Sequence, residues 1–182
     1  MSSKPPQCVV ATTCFPSAIA SSATFGNPSQ RDPKRIASAF DINHEEFLEA
    51  LKINVLANKI IIDWSILNGC KSFIGISSGA ALKNYDGWLN YCVTKSSFRS
   101  MLLQYQKDIP KLNFKLISPG ILRTEMNKKI KSVDVNIYPD MKKFHQTPAE
   151  EPQKAAELIF RKFSDYFKRE ELEIDLRNEN EW

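Results

Sequence analysis

Glycine is scarce in this chain of 182 residues. There are six (Gly26, Gly69, Gly75, Gly79, Gly87 and Gly120), and no group of them builds a glycine-rich, phosphate-cradling turn. Histidine is scarcer still. His44 and His145 are too few for most zinc sites, so no metal is expected. The four cysteines, Cys8, Cys14, Cys70 and Cys92, have neither metal-ligand pairing nor the spacing of a small disulfide scaffold. Reduced thiols in a cytoplasmic protein are the expectation. No apolar run approaches the roughly 18 residues of a membrane span, and Ile60-Ile61-Ile62 lies inside an amphipathic helix and reads as core. The net charge of +4 is mild and gives no reason to expect nucleic acid. Acids are missing from the first 31 residues, the earliest being Asp32.

What is present is concentrated between residues 72 and 124. A short apolar run, Ser72-Phe73-Ile74-Gly75-Ile76, ends in Ser77-Ser78-Gly79. Gly87-Trp88-Leu89-Asn90-Tyr91 follows, with Lys95 four residues after the tyrosine. A second apolar run, Phe114-Lys115-Leu116-Ile117, ends in Ser118-Pro119-Gly120, and Thr124 lies just beyond. The order is strand, serine, helix with Tyr and Lys, strand, Pro-Gly, threonine. Positions i and i+4 share one helix face, so Tyr91 and Lys95 project side by side. A cation beside a phenol favours phenolate and lowers the tyrosine pKa from about 10. Such a tyrosine can exchange a proton with a substrate oxygen near neutral pH. Ser78 ends its strand on the carboxyl side, where open α/β sheets place their ligands.

At these residues the chain resembles the short-chain dehydrogenase/reductase family, which carries a serine, a Tyr-x-x-x-Lys pair and a Pro-Gly motif in this order. Ile76-Ser77-Ser78-Gly79-Ala80, Gly87-Trp88-Leu89-Asn90-Tyr91-Cys92 and the stretch from Ser118 to Met126 look like its sepiapterin reductase and benzil reductase branch. The resemblance covers about residues 40 to 165. It implies an α/β fold with a Rossmann-like, doubly wound parallel sheet, and NADP(H)-dependent reduction of a carbonyl, with NAD(H) left open. It assigns Tyr91 as the acid, Lys95 to the nicotinamide ribose and Ser78 to the substrate carbonyl. Asn54, in Lys52-Ile53-Asn54-Val55, would hold a water of the proton relay. Pro119, Gly120 and Ile121 would line the nicotinamide, and Thr124 would bond its carboxamide or a phosphate. Trp88 lines the substrate pocket or is a core or surface aromatic.

The resemblance also implies what is missing. The family opens with a strand and a glycine-rich turn that holds the dinucleotide pyrophosphate at a helix start. Neither that turn nor the ribose-reading residue after the second strand has a candidate here, so the sheet is expected to be partial. Residues 1–31 read as a replaced or truncated amino terminus, a disordered tail or an organelle transit peptide, with Cys8 to Thr12 as one short strand. Residues 32–182 read as the truncated reductase domain.

Along that domain, 27–40 reads as a loop, and Asn43 caps a helix from 44 to 68. Its apolar positions are Phe47, Leu48, Leu51, Val55, Leu56 and Ile62, and Gly69 ends it. A helix over 89–107 carries Tyr91, and 113–117 is a strand. Residues 124–132 carry Lys128, Lys129 and Lys131 and read as a solvated face, while the resemblance implies a mobile lid over substrate there; 133–148 are irregular. A helix from Pro148 to about Phe167, a strand over 172–176 and a tail complete the chain. The resemblance makes a homodimer through the helices 44–68 and 89–107 the expected assembly.

Two other readings stand beside this one. Gly75-Ile76-Ser77-Ser78-Gly79 matches the Gly-x-Ser-x-Gly elbow of serine hydrolases, with Ser77 as nucleophile and Asp134 or Asp140 and His145 downstream. A chain lacking the pyrophosphate turn is alternatively an inactive interaction module that uses the two dimer helices.

Overall fold

The structure, a computed structural model, describes residues 36–179. Expectations for residues 1–31, the strand at Cys8 to Thr12 included, lie outside the described residues, as does the end of the tail.

The helix opening at His44 begins as expected. Asn43 accepts from the Glu46 amide at 2.8 Å while Glu46 accepts from the Asn43 amide, a reciprocal capping box. The helical stretch is continuous but not uniform. Helix α1 (His44–Leu51) passes into a π turn (Lys52–Leu56) and then into α2 (Ala57–Leu67). Gly69, with φ +84°, closes it. The buried positions differ from those expected. Ile62 is in the core, but Leu48, Leu56, Ile60 and Ile61 are exposed. Glu46, Ala50 and Asn54 occupy the buried face instead.

Strands β1 (Ser72–Ile76), β2 (Asn113–Ser118) and β3 (Glu173–Asp175) form a parallel sheet in the order β1-β2-β3. Phe73 pairs with Phe114 and Ile117 with Ile174. Helix α3 (Leu89–Asp108) crosses from β1 to β2. With α2 it covers one face, where Ile62, Phe98 and Leu102 pack on Phe73, Phe114 and Leu116. The other face is covered by α6 (Pro152–Arg161) and α7 (Phe163–Tyr166), whose Ala155, Leu158 and Tyr166 pack on Ile74, Ile117 and Ile174. Helices on both faces of a parallel sheet make the α/β, Rossmann-like architecture that the order of motifs implies.

Three boundaries differ from the sequence reading. The helix expected from Pro148 starts at Pro152, which takes the first helical position where its missing N–H costs nothing, and it breaks at Lys162 before α7. The stretch 133–148 is not wholly irregular: a short turn at Pro139–Met141 leads into α5 (Lys142–Gln146). The tail begins with a turn at Leu176–Asn178 that buries Leu176.

Lys115, in the middle strand, is buried. Its ammonium donates to the carbonyls of Arg169 (2.6 Å) and Glu171 (2.8 Å), tying the α7–β3 turn to the sheet. Burial pushes its pKa down. Among the described residues, no helix is long and apolar enough to cross a membrane.

Candidate active site

The carboxyl ends of β1 and β2 lie side by side because the two strands are parallel and paired. Ser77 and Ser78 leave β1 there, and Ser118, Pro119 and Gly120 leave β2. The Ser77 amide donates to the Ile117 carbonyl at 2.7 Å, which holds the two ends together. Ser78 is half-buried. Its hydroxyl oxygen accepts from the Ala80 amide at 3.2 Å and caps a single 3-10 turn, Gly79–Ala81. Its own O–H remains a donor. Ala80 packs in one cluster with Trp88, Tyr91, Cys92, Ile130 and Met141. The turn carrying Ser78 is therefore packed on the start of α3.

Tyr91 and Lys95 lie one turn apart on α3 and are both buried, with Tyr91 8% exposed. The Lys95 ammonium lies 5.9 Å from the Tyr91 ring centroid. It donates to the Ile76 carbonyl at 3.0 Å, so the cation sits at the end of β1, over the serine turn. Trp88 meets Tyr91 edge to face at 5.1 Å and is itself buried, which places it in the core cluster.

On the β2 side, Gly120 has φ +76°, a conformation that favours glycine. Thr124 caps α4 (Glu125–Lys131), accepting from the Asn127 amide. Ile121 and Leu122 are tied to the strap before α6: the Glu150 amide donates to Ile121, and the Arg123 amide donates to Glu150. Asn127 is buried, with its side-chain nitrogen lacking a hydrogen-bond partner.

Asn54 sits inside the π turn. Such turns interrupt α-helices frequently at functional sites. Its side-chain nitrogen donates to the Thr94 hydroxyl at 3.1 Å, and its backbone carbonyl accepts from the Asn58 side chain at 2.6 Å. Thr94 in turn donates to the Asn90 carbonyl at 2.7 Å. Asn90 is 1% exposed, and neither its Nδ2 nor its Oδ1 has a partner among the described residues. Leaving a buried polar group unbonded costs about 1–3 kcal/mol.

Residues 133–146 close over Tyr91. Met141 is fully buried in the cluster, and Phe144 packs on Tyr85 (5.6 Å) and Trp88 (5.2 Å). Lys143 lies 4.4 Å over the Tyr85 ring and donates to its hydroxyl at 3.0 Å. Asp86 and Asp140 each accept from the other's backbone amide, at 3.3 and 3.0 Å. Burial pushes the pKa of the Cys92 thiol up.

The hydrolase geometry is not built. Ser77 is buried, and its turn is followed by three residues of 3-10 helix rather than the long helix that a nucleophile elbow opens. His145 bonds the Ile130 carbonyl at 2.9 Å, and Asp140 serves the Asp86 clamp.

The structure thus brings Ser78, Tyr91, Lys95 and the Pro119–Gly120 turn to one end of the sheet, with Asn54 behind α3. Asn58, Asn90, Thr94 and the Asp86–Asp140 clamp were missed by sequence reasoning. They are polar residues at helical or loop positions with no motif to mark them.

A solved short-chain dehydrogenase family protein from Francisella tularensis superposes with a TM-score of 0.60 at 21% identity, over 76% of this chain and 63% of its own. The fold is that of the short-chain dehydrogenases/reductases. An angucycline C-6 ketoreductase with bound NADP superposes on this short-chain reductase fold with the same score, 0.60, at 16% identity, over 78% of this chain and 56% of that one. Among curated proteins, the benzil reductase ((S)-benzoin forming) of Bacillus subtilis (strain 168) is 29% identical over 83 residues, 43% of this chain and 34% of that protein. The chain thus spans less than two thirds of each of these proteins, from 34% to 63%. No family model matches.

The site can be tested against the nicotinamide dinucleotide that some proteins of this fold carry. The nicotinamide end fits. Lys95 provides a cation, Tyr91 and Ser78 provide hydroxyls, Gly120 lets the backbone turn closely, and Asn127 Nδ2 is a buried donor at the first turn of α4. For the pyrophosphate, the described residues supply no glycine-rich turn at a helix start.

Proposed function

We propose that this chain is a short-chain dehydrogenase/reductase that reduces a ketone or diketone carbonyl, or a pterin side-chain carbonyl, with NADP(H). The observation that carries the reading is the meeting of Ser78, the Tyr91–Lys95 pair and the Pro119–Gly120 turn at the carboxyl ends of β1 and β2. NADP(H) is preferred on resemblance, and NAD(H) is the alternative.

The reduced nicotinamide, when bound, supplies the hydride. Everything else falls to the chain. Tyr91 gives its phenolic proton to the substrate oxygen. Ser78 donates a hydrogen bond to the same oxygen and favours the charge that develops on it. The Lys95 cation favours phenolate between turnovers and holds the nicotinamide ribose. Asn54, in the π turn beside Thr94, holds a water of the relay. Pro119, Gly120, Ile121 and Thr124 line the nicotinamide, and residues 133–146 exclude water from Tyr91.

The discriminating experiment mutates the two adjacent serines separately and follows NADPH-dependent reduction of benzil and related ketones. Ser78→Ala should lower kcat/KM about 10²-fold or more, the scale of losing one donor to a developing oxyanion, while Ser77→Ala should leave the chemistry much less affected. Equal loss in both, or a loss confined to Ser77→Ala, contradicts the assignment.

A second reading, an interaction module, is favoured by one observation. Ile53, Leu56, Ile60, Trp64 and Leu67 recur at helical spacing along the π turn and α2 and are all exposed, Trp64 by 65% and Leu67 by 86%. The helices 44–68 and 89–107 then pair with a second copy of the chain. Sedimentation should find a dimer, and Trp64→Glu should convert it to monomer. A wild-type monomer at micromolar concentration would count against this assembly.

A further inference from the structure

We infer that Asn90 holds an internal water between α3 and the α1–π helix, and that this water braces the helix turn from which Tyr91 projects. Both polar atoms of the Asn90 side chain are buried and unbonded among the described residues. Buried amides in folded proteins are almost always satisfied by protein or ordered water. One water answers both atoms, accepting from Nδ2 and donating to Oδ1.

The surroundings suit it. Helices α2 and α3 cover the same sheet face and lead into the parallel strands β1 and β2, so the two run parallel. Asn90 lies one turn before Thr94, and Ala50 lies one turn before Asn54. Thr94 and Asn54 are bonded to each other. Ala50, which is fully buried, therefore stands near the level of Asn90 and contributes only a methyl group. The Asn90 carbonyl already accepts from Thr94, so a polar seam runs from Asn54 through Thr94 to Asn90, immediately behind Tyr91. Asn90 is a positioning residue and touches no substrate. The hydration site stands whether or not the chain reduces carbonyls; its consequence for Tyr91 rests on that reading.

The test uses the full chain. Oxygen-17 relaxation dispersion counts long-lived internal waters in the wild type, Asn90→Leu and Asn90→Ser. A high-resolution crystal structure looks for density within about 2.7–3.2 Å of both Asn90 side-chain atoms. The expected result is that density in the wild type, one long-lived water fewer in Asn90→Leu, and the wild-type count in Asn90→Ser. The Tyr91 ring, read by NMR of labelled tyrosine and assigned with Tyr91→Phe, should shift its titration in Asn90→Leu and regain it in Asn90→Ser. Absence of density at Asn90 in a well-resolved wild-type structure overturns the proposal, as does an unchanged water count in folded Asn90→Leu. Should Asn90→Leu fail to fold, the wild-type density and the Asn90→Ser count decide. Neither readout needs activity, so an inactive chain with the water present would sink only the reductase reading.

Discussion

Tyr91→Phe should reduce carbonyl reduction by about 10²–10⁴-fold, the usual contribution of a positioned general acid, while leaving the fold and cofactor affinity nearly intact. The substitution removes one oxygen from a ring already held by its neighbours. Trp88 packs edge to face on Tyr91, and Ala80, Ile130 and Met141 complete the cluster. The cation of Lys95 stays where the Ile76 carbonyl holds it. Since the loss is of a transition-state contact, kcat and kcat/KM should fall together with little change in KM. Stopped-flow or steady-state NADPH oxidation, compared with thermal unfolding of the same samples, separates the two effects. A variant that keeps most of its activity would remove Tyr91 from the chemistry. A variant that loses activity only because it unfolds would leave it as a core tyrosine.

Gly75→Val should cost about 1–3 kcal/mol or somewhat more, the range for overpacking a filled core. Valine suits strands better than glycine in general, so the contact decides the sign. A Cβ at Gly75 would lie 2.9 Å from Leu102 Cδ1 and 3.0 Å from two Phe98 ring carbons. The crevice lined by Ile62, Phe73, Phe98, Leu102 and Phe114 leaves no room for a water molecule. Relief requires α3 to move away from β1. That same helix carries Lys95, whose bond to Ile76 spans α3 and β1, so activity should fall along with stability. For a domain this size each kcal/mol lowers Tm by roughly 2–4 °C. Gly79→Ala is the control: its nearest neighbour is the Tyr85 hydroxyl at 3.2 Å, the far end of a side chain that can shift. A Gly75→Val variant as stable and active as wild type would show that α3 is not held this closely on the sheet.

These two glycine positions also show what the sequence can and cannot reveal. The strand 72–76 was legible because an apolar run ends sharply at a serine turn, and the helix start at Asn43 was legible because Glu46 completes the capping box. Gly69 was legible as a helix stop for a similar local reason. The π turn was not, because a hydrogen-bond slip within a continuous helical pattern needs no special residue. Its consequence is visible: Leu48 and Leu56, apolar and at helical spacing, point to solvent, while Glu46 and Asn54 are buried. A helix with apolar residues on more than one side does not announce which side meets the sheet. The short α5 was hidden by Pro139 and by its five-residue length, and the break at Lys162 by a helical pattern that runs on through it.

The site divides the same way. Ser78, Tyr91, Lys95 and the Pro119–Gly120 turn were legible as an ordered set, since each follows a strand or heads a helix. The Asn54–Thr94 bond and the Asp86–Asp140 clamp join residues 40 and 54 positions apart. Such pairs have no sequence signature until the chain is folded. The lid segment drew attention for its lysines, Lys128, Lys129 and Lys131. Its apolar side packs in the Tyr91 cluster through Ile130, together with Met141 and Phe144 of the stretch that follows.

The central claim is that the carboxyl end of this sheet takes the nicotinamide end of a dinucleotide. It is tested most directly by titrating the purified 182-residue chain with NADPH while following tryptophan fluorescence. The account predicts saturable binding in the micromolar range that Lys95→Ala weakens substantially and Tyr91→Phe leaves nearly unchanged. No binding up to millimolar NADPH, or binding indifferent to Lys95→Ala, would contradict it.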